Sequence, residues 1–158
     1  MKLPVRALVF LILFFGCFQL QAQIPDPCHW SFKVEQTNPD EATLIFTAKL
    51  DSGWHLYSQH LEGDGPFPTR FNITGASQFK LIGPTEEGKP LNEYDKNFDM
   101  MLKYFEHEAD FVQKIKVLSK NNFTVTGTID YQVCMEQCIF PPAKEFSIQI
   151  KGNPKGEN

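Results

Sequence analysis

Two cysteines four positions apart, Cys134 and Cys138, are the residues of this 158-residue chain whose type and spacing point most directly to chemistry. An extended chain would hold their Cα atoms ~13 Å apart, well beyond the ~4.4–6.8 Å that a disulfide spans. A bond between them therefore requires Met135-Glu136-Gln137 to turn back in a hairpin-like reversal, which Pro141-Pro142 then ends. As a structural staple the bond would do little: closing five residues restricts the unfolded chain by only ~2 kcal/mol, against ~4.7 kcal/mol for a 100-residue loop. Labile and catalytic disulfides are the exposed, strained ones, because a thiolate must reach one sulfur in line. Both readings, staple and exchangeable bond, stand at this point. No flanking residue supplies a cation, and Glu136 between the cysteines would disfavour a thiolate, so the pair reads as slow until a partner docks. Zinc is the other use of paired cysteines. The four histidines, at positions 29, 55, 60 and 107, do not have the spacing of a zinc finger, so neither metal nor cofactor is expected. His55 reads instead as a strand residue with a hydrogen-bond partner.

The elements that would position such a pair are strands. Apolar residues alternate at Trp30, Phe32 and Val34 and at Leu44, Phe46, Ala48 and Leu50. Further strands are predicted at 54–58, 69–73, 79–82, 111–118, 123–133 and 146–150. Turn signals at Asn38-Pro39-Asp40, Asp51-Ser52-Gly53, Gly63 to Pro66, Gly83-Pro84 and Asn121-Asn122 separate them. Eight or so short strands at this spacing predict an all-β, immunoglobulin-like sandwich. Within 123–133 the alternation places Cys134 on the polar, solvent-facing side. Residues 80–102 read as a long loop carrying aromatics, and residues 151–156 as a disordered tail.

Lys2 and Arg6, then the apolar run from Ala7 to Phe18, then Gln-Leu-Gln-Ala-Gln give the three regions of a signal peptide over residues 1–22. Cleavage after Ala22 would leave residues 23–158 as one exported domain with no transmembrane segment, in a compartment where disulfides persist. A second reading of the leader is a lipoprotein site at Cys17. Among Cys28, Cys134 and Cys138 one thiol is left over, and Cys28, near the start of the domain, is the natural candidate. Lysines and acids are interspersed with a formal net charge of −4, which gives no footprint for nucleic acid.

The stretch Tyr131-Gln132-Val133-Cys134, followed by Cys138-Ile139-Phe140-Pro141-Pro142, resembles the signature of the N-terminal periplasmic domain of DsbD, the thiol:disulfide interchange protein. Gly53-Trp54-His55-Leu56-Tyr57-Ser58 and Gly65-Pro66-Phe67-Pro68-Thr69 resemble the same family, so the likeness runs from about Trp30 to Ile150. It implies a domain that relays electrons through Cys134 and Cys138, between a thioredoxin-like or membrane-embedded donor and periplasmic oxidoreductase clients, as one component of a protein-disulfide reductase. It also implies that Tyr57 and Tyr131 line the site, and that Phe98 or Tyr94, in a loop over residues 92–104, caps the cysteines. Three residues separate the cysteines here, where the family usually has four or five. The membrane-embedded and C-terminal thioredoxin-like domains of the family are not in the sequence, which reads as a stand-alone copy. The alternative reading is a non-catalytic immunoglobulin-like binding module with a structural disulfide.

Overall fold

The computed structural model describes residues 26–75, 77–96 and 98–156, and among them every regular element is a β-strand. The expected leader and Cys17 lie outside the described residues. In chain order the strands are β1 (Cys28–Glu35), β2 (Glu41–Leu50), β3 (His55–Tyr57), β4 (Arg70–Thr74), β5 (Phe79–Glu87), β6 (Leu91–Asp95), β7 (Met100–Glu106), β8 (Glu108–Val117), β9 (Phe123–Asp130), β10 (Val133–Cys134), β11 (Cys138–Ile139) and β12 (Lys144–Ile150). All pairings are antiparallel, in sheets ordered β1-β2-β8-β5, β11-β10-β3-β7-β6 and β12-β9-β4.

Alternation explains the central strands. In β2 the residues Ala42, Leu44, Phe46, Ala48 and Leu50 are buried while the intervening ones are not, and β8 repeats the pattern with Ala109, Phe111, Gln113, Ile115 and Val117. The inward faces meet in an aromatic centre. Phe46 lies 4.9 Å from both Phe71 and Phe146 between ring centroids, Phe71 lies 5.0 Å from Phe111, and Trp30 packs on Phe111 at 5.8 Å. Such pairs contribute roughly 0.5–1.5 kcal/mol each beyond the area they bury, which ties the sheets into one immunoglobulin-like sandwich. The chain passes from the five-stranded to the four-stranded sheet through a single residue, His107, whose φ of 64° turns β7 into β8 while its carbonyl accepts the N–H of Leu50 at 2.8 Å.

Four expectations are corrected. Residues 80–102 form no long loop: β5 continues to Glu87, and β6 and β7 make a hairpin. Gly83-Pro84 is not a turn between elements but an irregularity inside β5, where the register to β8 shifts between Ile82 and Glu86 and Gly83 takes a φ of 69°. The tail is anchored, because Asn153 is buried, donates from Nδ2 to Asp40 Oδ1 at 2.7 Å and donates from its backbone N–H to the Ser119 carbonyl. Cys28, although near the start of the domain, does not lie in a loose end. It is fully buried opposite Leu50, and burial, with Asp26 adding to it, pushes its thiol up to about 12.

Candidate functional site

The cysteine pair is built at one border of the five-stranded sheet. β10 and β11 are two residues each, and the turn between them is closed by Met135 N–H donating to the Gln137 carbonyl at 3.2 Å. Cys134 and Cys138 are direct cross-strand partners with Cα atoms 4.1 Å apart, and a disulfide joins them. The expected reversal is therefore a minimal hairpin. Cys28 is the free cysteine among the described residues.

Cys134 does not face solvent as its strand pattern predicted: it is 0 % exposed. The alternation of β9 stops at Asp130, and Tyr131, Gln132, Val133 and Cys134 are all buried as the chain crosses to the other sheet. Cys138, by contrast, is only partly buried. The two cysteines thus differ in burial, Cys138 lying nearer the surface than Cys134.

Register sets the surroundings. Cys134 pairs with His55 on β3, and His55 with Glu106 on β7; one residue along, Val133, Leu56 and Phe105 form the next row, which belongs to the main core. Because partners in an antiparallel row share a face, Cys138, Cys134 and His55 project to the same side, and Tyr57, two residues on, joins them. There Tyr57, Leu102, Tyr104 and Cys134 form a second buried cluster, with Leu61, Phe98, Met100 and Cys138 packed at its margin. Three-residue β3 is held in place by its neighbours. Ser58 N–H donates to the Lys103 carbonyl at 3.0 Å, Thr69 Oγ1 to the Tyr57 carbonyl at 2.6 Å, and Gly53, at a φ of 84° in the turn before the strand, lies close to the Met135 side chain.

Polar groups in this cluster are linked in a chain. Tyr57 Oη donates to Asp95 Oδ2 at 2.7 Å, so the 3.1 Å contact from His55 Nε2 to the same hydroxyl must be a donation by the ring. Nε2 carries a proton and Nδ1 is the nitrogen that titrates. Burial lowers the His55 pKa below its ordinary value, against the opposing pull of Asp95, 3.5 Å away, and of Glu106. Burial raises the Tyr57 hydroxyl, and its hydrogen bond to Asp95 adds to the effect. Tyr104 is pushed up to about 12, by burial and then by donating to Glu93 Oε2 at 3.0 Å. Both phenols are thus donors at neutral pH.

Of the residues expected at the site, the structure brings Cys134, Cys138, Tyr57 and Phe98 together. Phe98, at the tip of the β6–β7 hairpin, stands edge-on to Tyr57 at 5.9 Å, and its backbone N–H donates to Asp95 Oδ1 at 3.3 Å. Tyr94 is 55 % exposed, bonded through its hydroxyl to Asp99, and borders a groove of about 460 Å³ shared with His55, Lys96, Met135 and Glu136. Tyr131 stands apart, in the main core, 5.5 Å from Trp30. Sequence reasoning missed Asp95 and Gln132. Nothing local marks Asp95, whose partner Tyr57 lies 38 residues away. Gln132 did carry a signal, as the polar residue between Tyr131 and Val133 in the cysteine motif.

The model of the family "Thiol:disulfide interchange protein DsbD, N-terminal" matches residues 21–150. The chain belongs to this family. Solved structures similar to the chain are of low sequence identity. The N-terminal periplasmic domain of ScsB from Proteus mirabilis is 15 % identical, with a TM-score of 0.58 over 85 % of this chain and 50 % of that one. The DsbD N-terminal domain of Neisseria meningitidis in its reduced form is 17 % identical, with a TM-score of 0.47 over 77 % of this chain and 85 % of that one. A structure of the complex between the DsbD and PilB N-terminal domains of the same species gives 15 % and 0.47, over 85 % and 91 %. None of the curated proteins matches the chain.

Proposed function

We propose that this domain performs thiol–disulfide exchange in the periplasm, relaying electrons through Cys134 and Cys138 between a thioredoxin-like or membrane-embedded donor and exported oxidoreductase clients. The observation that carries this reading is the disulfide itself: five residues of ring at a sheet border, with a partly buried cysteine at the margin and a fully buried one behind it. A bond placed for stability gains only ~2 kcal/mol from so short a ring, whereas exchange needs a sulfur near the surface that a partner thiolate can attack.

In the exchange a donor thiolate attacks Cys138 Sγ, the sulfur of the less buried cysteine. A bond forms between the two, the Cys134–Cys138 bond breaks, and the electron pair leaves on Cys134 Sγ. The donor's second thiolate then attacks its own sulfur in the mixed disulfide and expels Cys138. The donor dithiol ends as a disulfide and this domain as a dithiol, which passes two electrons on by the same steps in reverse. Phe98, packed at the margin of the cluster, shields the pair from other thiols in the role of a cap. The deciding experiment is the reduction potential of the purified domain, read by equilibration in dithiothreitol or glutathione buffers with thiol trapping. A two-electron couple above about −300 mV supports the relay; a much lower potential makes the bond structural and the domain a binding module.

A further inference from the structure

Gln132 has no part in the steps above, yet its side chain meets a reacting atom. It is 2 % exposed; its Oε1 accepts the backbone N–H of Phe67 at 2.6 Å, and its Nε2 lies 3.5 Å from Cys134 Sγ. The first contact fixes the second. A backbone N–H can only donate, so the amide oxygen must face Phe67 and the amide N–H must face the sulfur.

This geometry matters because of where charge goes in the exchange. The attacking thiolate comes from water and the leaving one is Cys134, which has no exposure at all. A thiolate formed there without a donor would carry the full penalty of an unpaired buried anion. Titratable groups around this sulfur are His55 and Tyr57 on β3, Tyr104 on β7, Asp95 closing β6 and Glu136 in the β10–β11 turn, with Glu106 beyond His55 in the row. The Tyr57 and Tyr104 hydroxyls and His55 Nε2 are already engaged, through Asp95 and Glu93. The carboxylates oppose a negative sulfur.

We infer that Gln132 is a catalytic residue of the exchange, donating a hydrogen bond that strengthens as Cys134 departs as a thiolate and thereby lowering the barrier to opening the disulfide. The inference rests on the exchange reading for its purpose. It also accounts for the Gly65-Pro66-Phe67-Pro68 segment, which orients the amide through Phe67 N–H while the Phe67 ring reaches across to Phe140, just beyond Cys138, at 6.3 Å. In the step concerned the attacker's sulfur bonds to Cys138 Sγ and the pair of electrons in the old S–S bond moves onto Cys134 Sγ. No proton need be transferred.

Two variants test this on the oxidised full-length domain, with dithiothreitol as the attacking dithiol. Gln132→Met removes the donor while keeping the length of the side chain. Gln132→Glu keeps the acceptor for Phe67 N–H but turns a carboxylate oxygen towards the sulfur. The rate of disulfide opening should fall roughly tenfold in the first and further in the second, since hydrogen bonds to charged groups are the stronger ones. In the reduced protein, the pH midpoint for alkylation of Cys134 should move up in the same order. Folding is checked by thermal melting; if the glutamate variant does not fold, the methionine variant decides. Opening rates within twofold of the parent, or slower opening with an unmoved alkylation midpoint, would overturn the inference, the latter making Gln132 only a structural prop. A parent disulfide that stays closed at equilibrium in reduced glutathione would sink the exchange reading and leave the effect of Gln132 on opening by dithiothreitol intact.

Discussion

Reduction of the Cys134–Cys138 bond is expected to lower the melting temperature by only a few degrees, and the size follows from the hairpin. The bond closes five residues, so its loss frees the unfolded chain by ~2 kcal/mol at most. Little is lost on the folded side, because the thiol of Cys134 keeps its place among Tyr57, Leu102 and Tyr104. With an unfolding entropy of ~2.1 cal/mol/K per residue, a domain of roughly 130 residues converts this into a fall of about 7 °C. Differential scanning calorimetry of the oxidised protein against the same protein in a phosphine reductant reads it directly. Cys138→Ala should match the reduced protein, whereas Cys134→Ala should lie lower by about 1 kcal/mol more, because it also empties a fully buried site. A fall of more than about 15 °C on reduction, or loss of the cooperative transition, would refute the reasoning and make the bond a true staple.

Phe98→Ala should leave the far-ultraviolet spectrum unchanged while speeding alkylation of the reduced pair severalfold; an unchanged rate would remove Phe98 from the role of cap. His55 titrates in the fold below its unfolded value, so the stability it contributes is present above pH ~6.5 and is lost as pH falls through the folded value. Asp95→Asn removes the opposing charge and should move the His55 midpoint further down in an NMR titration, and an upward move would contradict the assignment of forces. Cys28, fully buried with its thiol at about 12, should resist iodoacetamide in the native oxidised protein and react only in denaturant. Prompt native labelling at Cys28 would show that β1 opens.

Alternation made the central strands legible, because in β1, β2 and β8 one face is buried and the other is wet, and the apolar residues follow suit. The β6–β7 hairpin was not legible for the converse reason. Leu91 to Tyr94 are all exposed, so no periodic burial leaves its mark on the sequence there. Gly83-Pro84 carries the composition of a turn, but a bulge within a long strand asks for the same residues. The cysteine pair and its reversal could be read from spacing alone. The face of Cys134 could not, since the phase of alternation is lost where the chain leaves β9 and crosses between sheets. Likewise, the partnership of Tyr57 with Asp95 and of Gln132 with Phe67 depends on register between distant strands and loops, which no local pattern encodes.

The border that carries Cys138 also bears on solubility. Sheet borders offer rows of unpaired N–H and C=O groups, and a long, flat one recruits further chains until fibrils or precipitate form. β11 offers two residues before Pro141-Pro142, and proline has no N–H to lend to a neighbour's ladder. Cys138 therefore sits on a margin too short to template growth. A visiting chain finds a disulfide there, and nothing on which to accrete.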